Sequence, residues 1–237
     1  MNNNHSGCLI CHAPLEYLTT GLEMECSICK KRELSLARCQ NGHFICDSCH
    51  QGGFDRALAV CRQNKSPDPV ALLNRLMALD GFHLHGPEHH TLIGLALLSA
   101  FRAAGGKLPP DAVSELCSRA KNIPGGACGF WGACGAALGC GIFLSVITGA
   151  TPLSSEAFGL ANRLTGQALS IIGKTGGPRC CKRNSYLSLT EAVRFVRENL
   201  GISMTLPAHI TCTYSAQNRE CLQERCPFYP EKRNPQH

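Results

Sequence analysis

Within its first fifty residues the chain carries four pairs of side chains that can bind metal: Cys8/Cys11, Cys26/Cys29, Cys39/His43 and Cys46/Cys49. Cysteines separated by two residues put two thiolates on one tight turn, which is half of a tetrahedral Zn²⁺ site, and four halves make two complete sites. Which halves share an ion is left open by the spacing. His12 and His50, each directly after a cysteine, are alternative donors. A saturated four-ligand site has no open position for water or substrate, so both zinc ions are expected to fold the segment and not to catalyse. Some fifty residues with few large apolar side chains cannot bury enough surface alone, whereas a structural zinc contributes about 10–16 kcal/mol of apparent binding energy.

Three further segments gather reactive groups beyond residue 80. They are His83-Leu84-His85-Gly86-Pro87-Glu88-His89-His90, the glycine-rich run from Cys128 through Cys134 and Cys140 to Gly141, and Gly176-Gly177-Pro178-Arg179-Cys180-Cys181-Lys182-Arg183. Cys134 and Cys140, six apart, point about 120° away from each other on a continuous helix and cannot share one small ligand. The expected constellation is therefore Cys128, Cys134 and one of Cys180 or Cys181, with a histidine among His83, His85, His89 and His90 as fourth donor or as base. Arg179, Lys182 and Arg183 surround the cysteine pair at a helix start, and cations and the positive end of a helix dipole both favour thiolate over thiol. Such a pair suits a metal ligand, a sulfur carrier, a redox thiol or a nucleophile. A last group, Cys212, Cys221 and Cys226-Pro227, ends in the cysteine–proline step of iron–sulfur ligand runs, although its spacing is none of the standard ones.

The elements that must position these groups are mostly helices. Asp68 is a good N-cap and Pro69 a good first residue for a helix over 70–79, with Leu72, Leu73, Leu76 and Leu79 on one face. Helices are also expected over 54–62, 87–104, 110–121, 130–148, 154–173 and 181–200; the last presents Leu189, Ala192, Val193, Val196 and Leu200 at helical spacing. Residues 202–214 alternate loosely and are expected to be extended. The reading is thus mainly α: a zinc-stapled module over 1–53, then a cysteine-rich helical domain over 54–237 with a cysteine-bearing tail.

Composition narrows the class. The chain is 44% hydrophobic over 237 residues, enough for a core, and its polar start, Met1 to Gly7, is unlike a signal peptide. An odd count of 17 cysteines, many in close pairs beside histidines, points to thiolates on metal in a reducing cytoplasm. The formal charge of +6 falls to about +3 once seven thiolates hold two Zn²⁺, so nucleic acid is not the expected partner. Residues 122–155 lack charge, yet they include eight glycines, and the apolar run 136–150 is shorter than the roughly 20 residues a bilayer needs, which predicts a buried central helix and no membrane span.

Two resemblances add to this. The run Cys26-Ser27-Ile28-Cys29, followed by Cys39 to Cys49, resembles the first half of a RING finger of the seven-in-absentia kind, implying a RING or treble-clef-like module; the further pair that a RING needs downstream lies upstream here instead. The interleaved order of a RING implies Cys26, Cys29, Cys46 and Cys49 on one ion and Cys39 and His43 with Cys8 and Cys11 on the other. Asn41-Gly42-His43, His85 to His90, Pro124 to Gly141, Thr151-Pro152-Leu153, Gly177 to Arg183 and Cys221 with Cys226-Pro227 together resemble an uncharacterised cysteine-rich family of anaerobic bacteria and archaea. Members of that family are sometimes joined to methyltransferase domains, which implies a methyltransferase as partner and supplies no activity. Three functions follow as expectations: a metalloprotein with structural zinc and a thiol or iron–sulfur site for redox or sulfur chemistry, a non-catalytic interaction module, or an enzyme with Cys180 or Cys181 as nucleophile.

Overall fold

A computed structural model of the chain describes residues 7–50 and 54–230. The module boundary expected at residue 53 falls outside those residues. The N-terminal part is a two-stranded antiparallel hairpin, β1 (Leu15–Glu25) and β2 (Arg32–Cys39), followed by the short helix α1 (Asp47–His50). The sequence reading does not place these strands. The register pairs Leu15 with Cys39 and Glu25 with Arg32 and slips between Tyr17 and Leu22. Each end of the hairpin thereby delivers cysteines to a neighbouring loop.

Eight helices follow among the described residues: α2 (Phe54–Gln63), α3 (Pro69–Met77), α4 (Glu88–Ala103), α5 (Ala112–Ala120), α6 (Ala127–Phe130), α7 (Gly135–Thr148), α8 (Glu156–Thr175) and α9 (Cys181–Leu200). The protein is mainly helical. Asp68 caps α3 as its side chain predicts, accepting from the amides of Val70 and Ala71 at 2.8 and 3.0 Å. Leu72, Leu73 and Leu76 are fully buried, each contributing about 1.5–3 kcal/mol of hydrophobic stabilisation, and Leu189, Ala192, Val193 and Val196 line the inner face of α9.

α7 is the central element, packed by α4, α5, α8 and α9. Its apolar character on every side is that of a helix buried all round, and no helix among the described residues is long and apolar enough to cross a membrane. Gly139 lets α4 approach: a Cβ there would strike the His90 carbonyl and Ile93. The single helix expected over 130–148 is broken instead. Gly132 adopts a left-handed φ of 63° and Cys134 an extended N-cap conformation, so α6 and α7 are separate and Cys128 and Cys134 sit on either side of the turn.

Residues 201–230 form no strand, contrary to the alternation of 202–214. They run as irregular chain with two 3₁₀ turns, Ser215–Gln217 and Gln223–Arg225, back over the bundle. The Thr205 amide donates to the Pro67 carbonyl at 2.9 Å, and Phe228 packs edge-on against Tyr186 with ring centroids 5.2 Å apart. The N-terminal module in turn rests on the helices. The Gly125 amide donates to Asp47 Oδ2 at 2.9 Å, and the Tyr17 ring meets Phe130 on one side and the Arg179 guanidinium on another.

Candidate metal and thiol centres

Two tetrads converge in the N-terminal part: Cys8, Cys11, Cys39 and His43, and Cys26, Cys29, Cys46 and Cys49, the ligand atoms of each lying within 4.8 Å of one another. In the first, His43 Nδ1 is 3.3 Å from Cys11 Sγ and 3.8 Å from the sulfurs of both Cys8 and Cys39. Cys29 and Cys46 Sγ are 3.6 Å apart in the second. Thiolates about 2.3 Å from one tetrahedral ion lie roughly 3.8 Å apart, so the spacing suits a single metal ion in each tetrad. Loop amides aim at the sulfurs as well: Ile10 N–H at Cys8, Asn41 N–H at Cys39 and Cys46 N–H at Cys26, at 3.2–3.4 Å. These donors stabilise thiolate and fix its direction. Neither alternative donor, His12 nor His50, belongs to a tetrad.

Cys180 and Cys181 part company. Cys180 is the extended N-cap of α9 and Cys181 its first residue, so the backbone turns between them and sends the two sulfurs into different surroundings. Cys180 faces a small enclosed cavity that it lines with Cys212, Cys221 and Cys226, beside Lys182, Tyr214 and Phe228. Its sulfur accepts from the Arg183 amide at 3.4 Å and from Asn218 Nδ2 at 3.6 Å. Cys212 accepts from the Tyr214 amide, and Cys221 from that of Gln223, both at 3.4 Å. Burial pushes the Cys180 thiol up to about 11. These four cysteines do not form a group converging within 4.8 Å, so they are spread more widely than the ligands of one ion.

Cys181 meets His85. Its amide donates to His85 Nδ1 at 3.4 Å, and its thiol lies beside the same ring, 4.0 Å from the Gly86 carbonyl. Burial alone would raise the Cys181 thiol, but the bond to His85 and the charges of His85 and Arg179 more than offset it, and the group lies below its ordinary value. His85 Nε2 lies 3.1 Å from Asn218 Oδ1 and 3.5 Å from Glu220 Oε2. Burial opposes protonation of His85, yet its bonds to Cys181 and Glu220 prevail and raise it to about 8. Cysteine, imidazole and carboxylate thus stand in line.

The expected constellation of Cys128, Cys134 and a residue of the pair is not a ligand shell at single-ion distance. Cys128 and Cys134 instead line a cleft of about 380 Å³ with Gly176 to Arg179 and Asn184, and Cys134 Sγ accepts from Asn184 Nδ2 at 3.4 Å. The cationic cluster also divides. Arg179 reaches the Cys181 side, but Arg183 turns back to the carbonyls of Gly176 and Pro178 at 2.8 and 2.9 Å. Lys182 is fully buried, its Nζ 3.1 Å from the His83 carbonyl, 3.0 Å from His89 Nε2 and 4.4 Å from the Tyr214 ring centre. His89 is therefore occupied by Lys182, and His90 Nδ1 lies 3.2 Å from the Ile123 carbonyl, with its ring against Gly135.

Sequence reasoning misses the association of Cys180 with the tail. The signal available to it is the Cys226-Pro227 step; the partner, 46 residues upstream, has no spacing rule to betray it.

Fold and centres together define a cysteine-rich helical protein with metal-binding capacity and free thiols in distinct environments. Residues 58–229 match the model of a family of unknown function, DUF5714, and the chain belongs to that family. No curated protein matches the chain, and no solved structure does.

Proposed function

We propose that the protein is a zinc-stapled iron–sulfur protein of the cytoplasm that serves redox or sulfur chemistry, with Cys180, Cys212, Cys221 and Cys226 holding a 4Fe–4S cluster. The observation that carries this reading is the enclosed cavity lined by four cysteines, three of whose sulfurs accept N–H hydrogen bonds. Each thiolate of a cubane cluster binds a different iron, so four cysteines around one cavity that do not converge to single-ion distance are compatible with the donor set. When bound, the cluster supplies one-electron transfer. Lys182 beside it offsets the negative charge of the thiolates, and the N–H donors tune their electron density.

The neighbouring Cys181–His85 pair supplies the sulfur chemistry: the imidazole favours the thiolate over the thiol, and Glu220 orients the imidazole. Zinc in both N-terminal tetrads holds the module in shape. A reducing cytoplasm keeps the cysteines as thiols, and the methyltransferase domains joined to members of the resembled family favour a methyltransferase as partner.

Anaerobic reconstitution of the full chain with ferrous iron and sulfide tests the cluster. About four iron and four sulfide per chain are expected, with broad visible absorption; Cys212→Ser and Cys226→Ser should abolish both, and Cys128→Ser should leave them. Iron-free, colourless protein overturns the cluster. It would leave a second reading, a cysteine-nucleophile enzyme with Cys181 attacking and His85 as base, favoured by the thiol–imidazole–carboxylate line itself.

A further inference from the structure

Where the N-terminal module meets the helical domain, three donors from three segments converge. His50 ends α1, directly after Cys49; His83 lies in the loop before α4; Glu88 is the first residue of α4. Their ligand atoms lie within 4.8 Å of one another. His50 Nδ1 is 3.8 Å from Glu88 Oε2, His83 Nδ1 is 3.4 Å from Glu88 Oε1, and the two imidazoles stand edge to face at 5.5 Å.

The hydrogen bonding of this group is incomplete in a particular way. Glu88 is fully buried, and a carboxylate taken out of water costs several kcal/mol unless its lone pairs are matched. Its Oε1 accepts from the His83 amide at 3.0 Å. Its Oε2 has no hydrogen-bond partner, and neither does His50 Nδ1 nor His83 Nδ1. The two unmatched imidazole nitrogens both face the Glu88 carboxylate, His50 Nδ1 toward Oε2 and His83 Nδ1 toward Oε1. Nitrogen and oxygen donors turned toward one another are what a cation satisfies.

The surroundings keep room for it. A Cβ at Gly86 would collide with the Glu88 carboxylate, so glycine at this position lets the side chain fold back toward the histidines. The side chains of His50 and His83 are each 18% exposed, so the group lies just beneath the surface with its donor atoms buried.

We propose that His50, His83 and Glu88 form a third metal site, for a divalent transition ion bound by two imidazoles and one carboxylate with coordination positions left open. Three protein donors of nitrogen and oxygen type suit Zn²⁺, Fe²⁺ or Mn²⁺ and differ from the saturated thiolate tetrads. The open positions take water or an oxygen-donor ligand such as a carboxylate. Because His50 comes from the module and the other two donors from the helical domain, the ion also ties the two parts together. The proposal does not rest on the cluster: it holds for colourless, iron-free protein as well.

Equilibrium dialysis of the full chain against micromolar Zn²⁺, followed by elemental analysis, tests it. Wild type should bind one ion more than His50→Ala, His83→Ala or Glu88→Gln, with the tetrads unaffected. Equal counts in wild type and all folded variants overturn the site. Should the variants at the buried positions fail to fold, His50→Ala at the rim decides, since its ring is partly exposed. A Mn²⁺ soak of wild-type crystals gives an answer without any variant: anomalous density between the three side chains supports the site, and its absence at millimolar Mn²⁺ with density elsewhere overturns it.

Discussion

The N-terminal tetrads and the C-terminal cavity each gather four metal-competent side chains, and they do so by opposite means. In the tetrads, pairs three or four positions apart are delivered by short loops and drawn to single-ion distance, with sulfurs 3.4 and 3.6 Å apart between Cys11 and Cys39 and between Cys29 and Cys46. In the cavity, one cysteine at a helix start meets three from a tail that crosses the bundle, and the sulfurs stay further apart. The first arrangement is expected to depend on metal, because the buried apolar core of the described residues begins only at Ala57. The second is held by a packed scaffold whether or not anything is bound.

The largest effect expected from that difference is on folding. Chelating all metal, or replacing Cys26 with Ala, should release the module over residues 7–50 to protease while the helical signal of the remainder persists; the metal's contribution is on the order of 10 kcal/mol. Limited proteolysis alongside circular dichroism reads it. Loss of the helices at the same metal concentration would mean that the two regions fold as one unit.

Next is a contrast between adjacent residues. Cys180→Ser should remove the iron of reconstituted protein, whereas Cys181→Ser should retain it and lose thiol reactivity. Equal loss in both would place the two sulfurs in one site and undo the division described here.

A smaller effect is on labelling rates. In metal-free but folded protein, Cys181 should alkylate at least about tenfold faster at neutral pH than Cys61, which burial pushes up to about 12. Because the folded value of Cys181 is lowered, its thiolate is present above that value and is lost as pH falls through it. The rate should therefore persist to lower pH than for an ordinary thiol. His85→Ala should shift the profile upward. Peptide mapping after brief alkylation across pH checks both, and an unshifted profile would break the thiol–imidazole link.

The smallest effect concerns the seam. Asp47→Ala deletes the acceptor for the Gly125 amide and should cost about 0.5–1.5 kcal/mol, seen as earlier proteolysis of the module with metal content unchanged. Loss of metal would instead tie Asp47 to the tetrads.

The parts legible from sequence were those governed by local spacing. The eight metal-competent side chains of the tetrads follow from counting residues between cysteines and histidines, and their grouping from the resemblance to a RING. The cap at Asp68 and the inner face of α9 follow from single-residue chemistry and helical period. What escaped depends on contacts across the chain. The cations at 179, 182 and 183 look alike in sequence, yet Lys182 is drawn into the core by His89 and Tyr214, and Arg183 by loop carbonyls. The separation of Cys180 from Cys181 turns on one backbone angle at a helix start. His50, His83 and Glu88 meet because a module docks, and no local pattern encodes a docking.

The hold of Arg183 on the turn before it has a further consequence. Gly176-Gly177-Pro178 would on its own wander among many conformations, and a ligand entering the cleft it borders would have to freeze them, at about 1–2 kcal/mol for each residue fixed. Two hydrogen bonds from one guanidinium have frozen that wall during folding. The ordering entropy is charged to the stability of the whole chain and not to the encounter, so the cleft meets its ligand already shaped, and weak, fast-exchanging substrates can be held there without an induced closure.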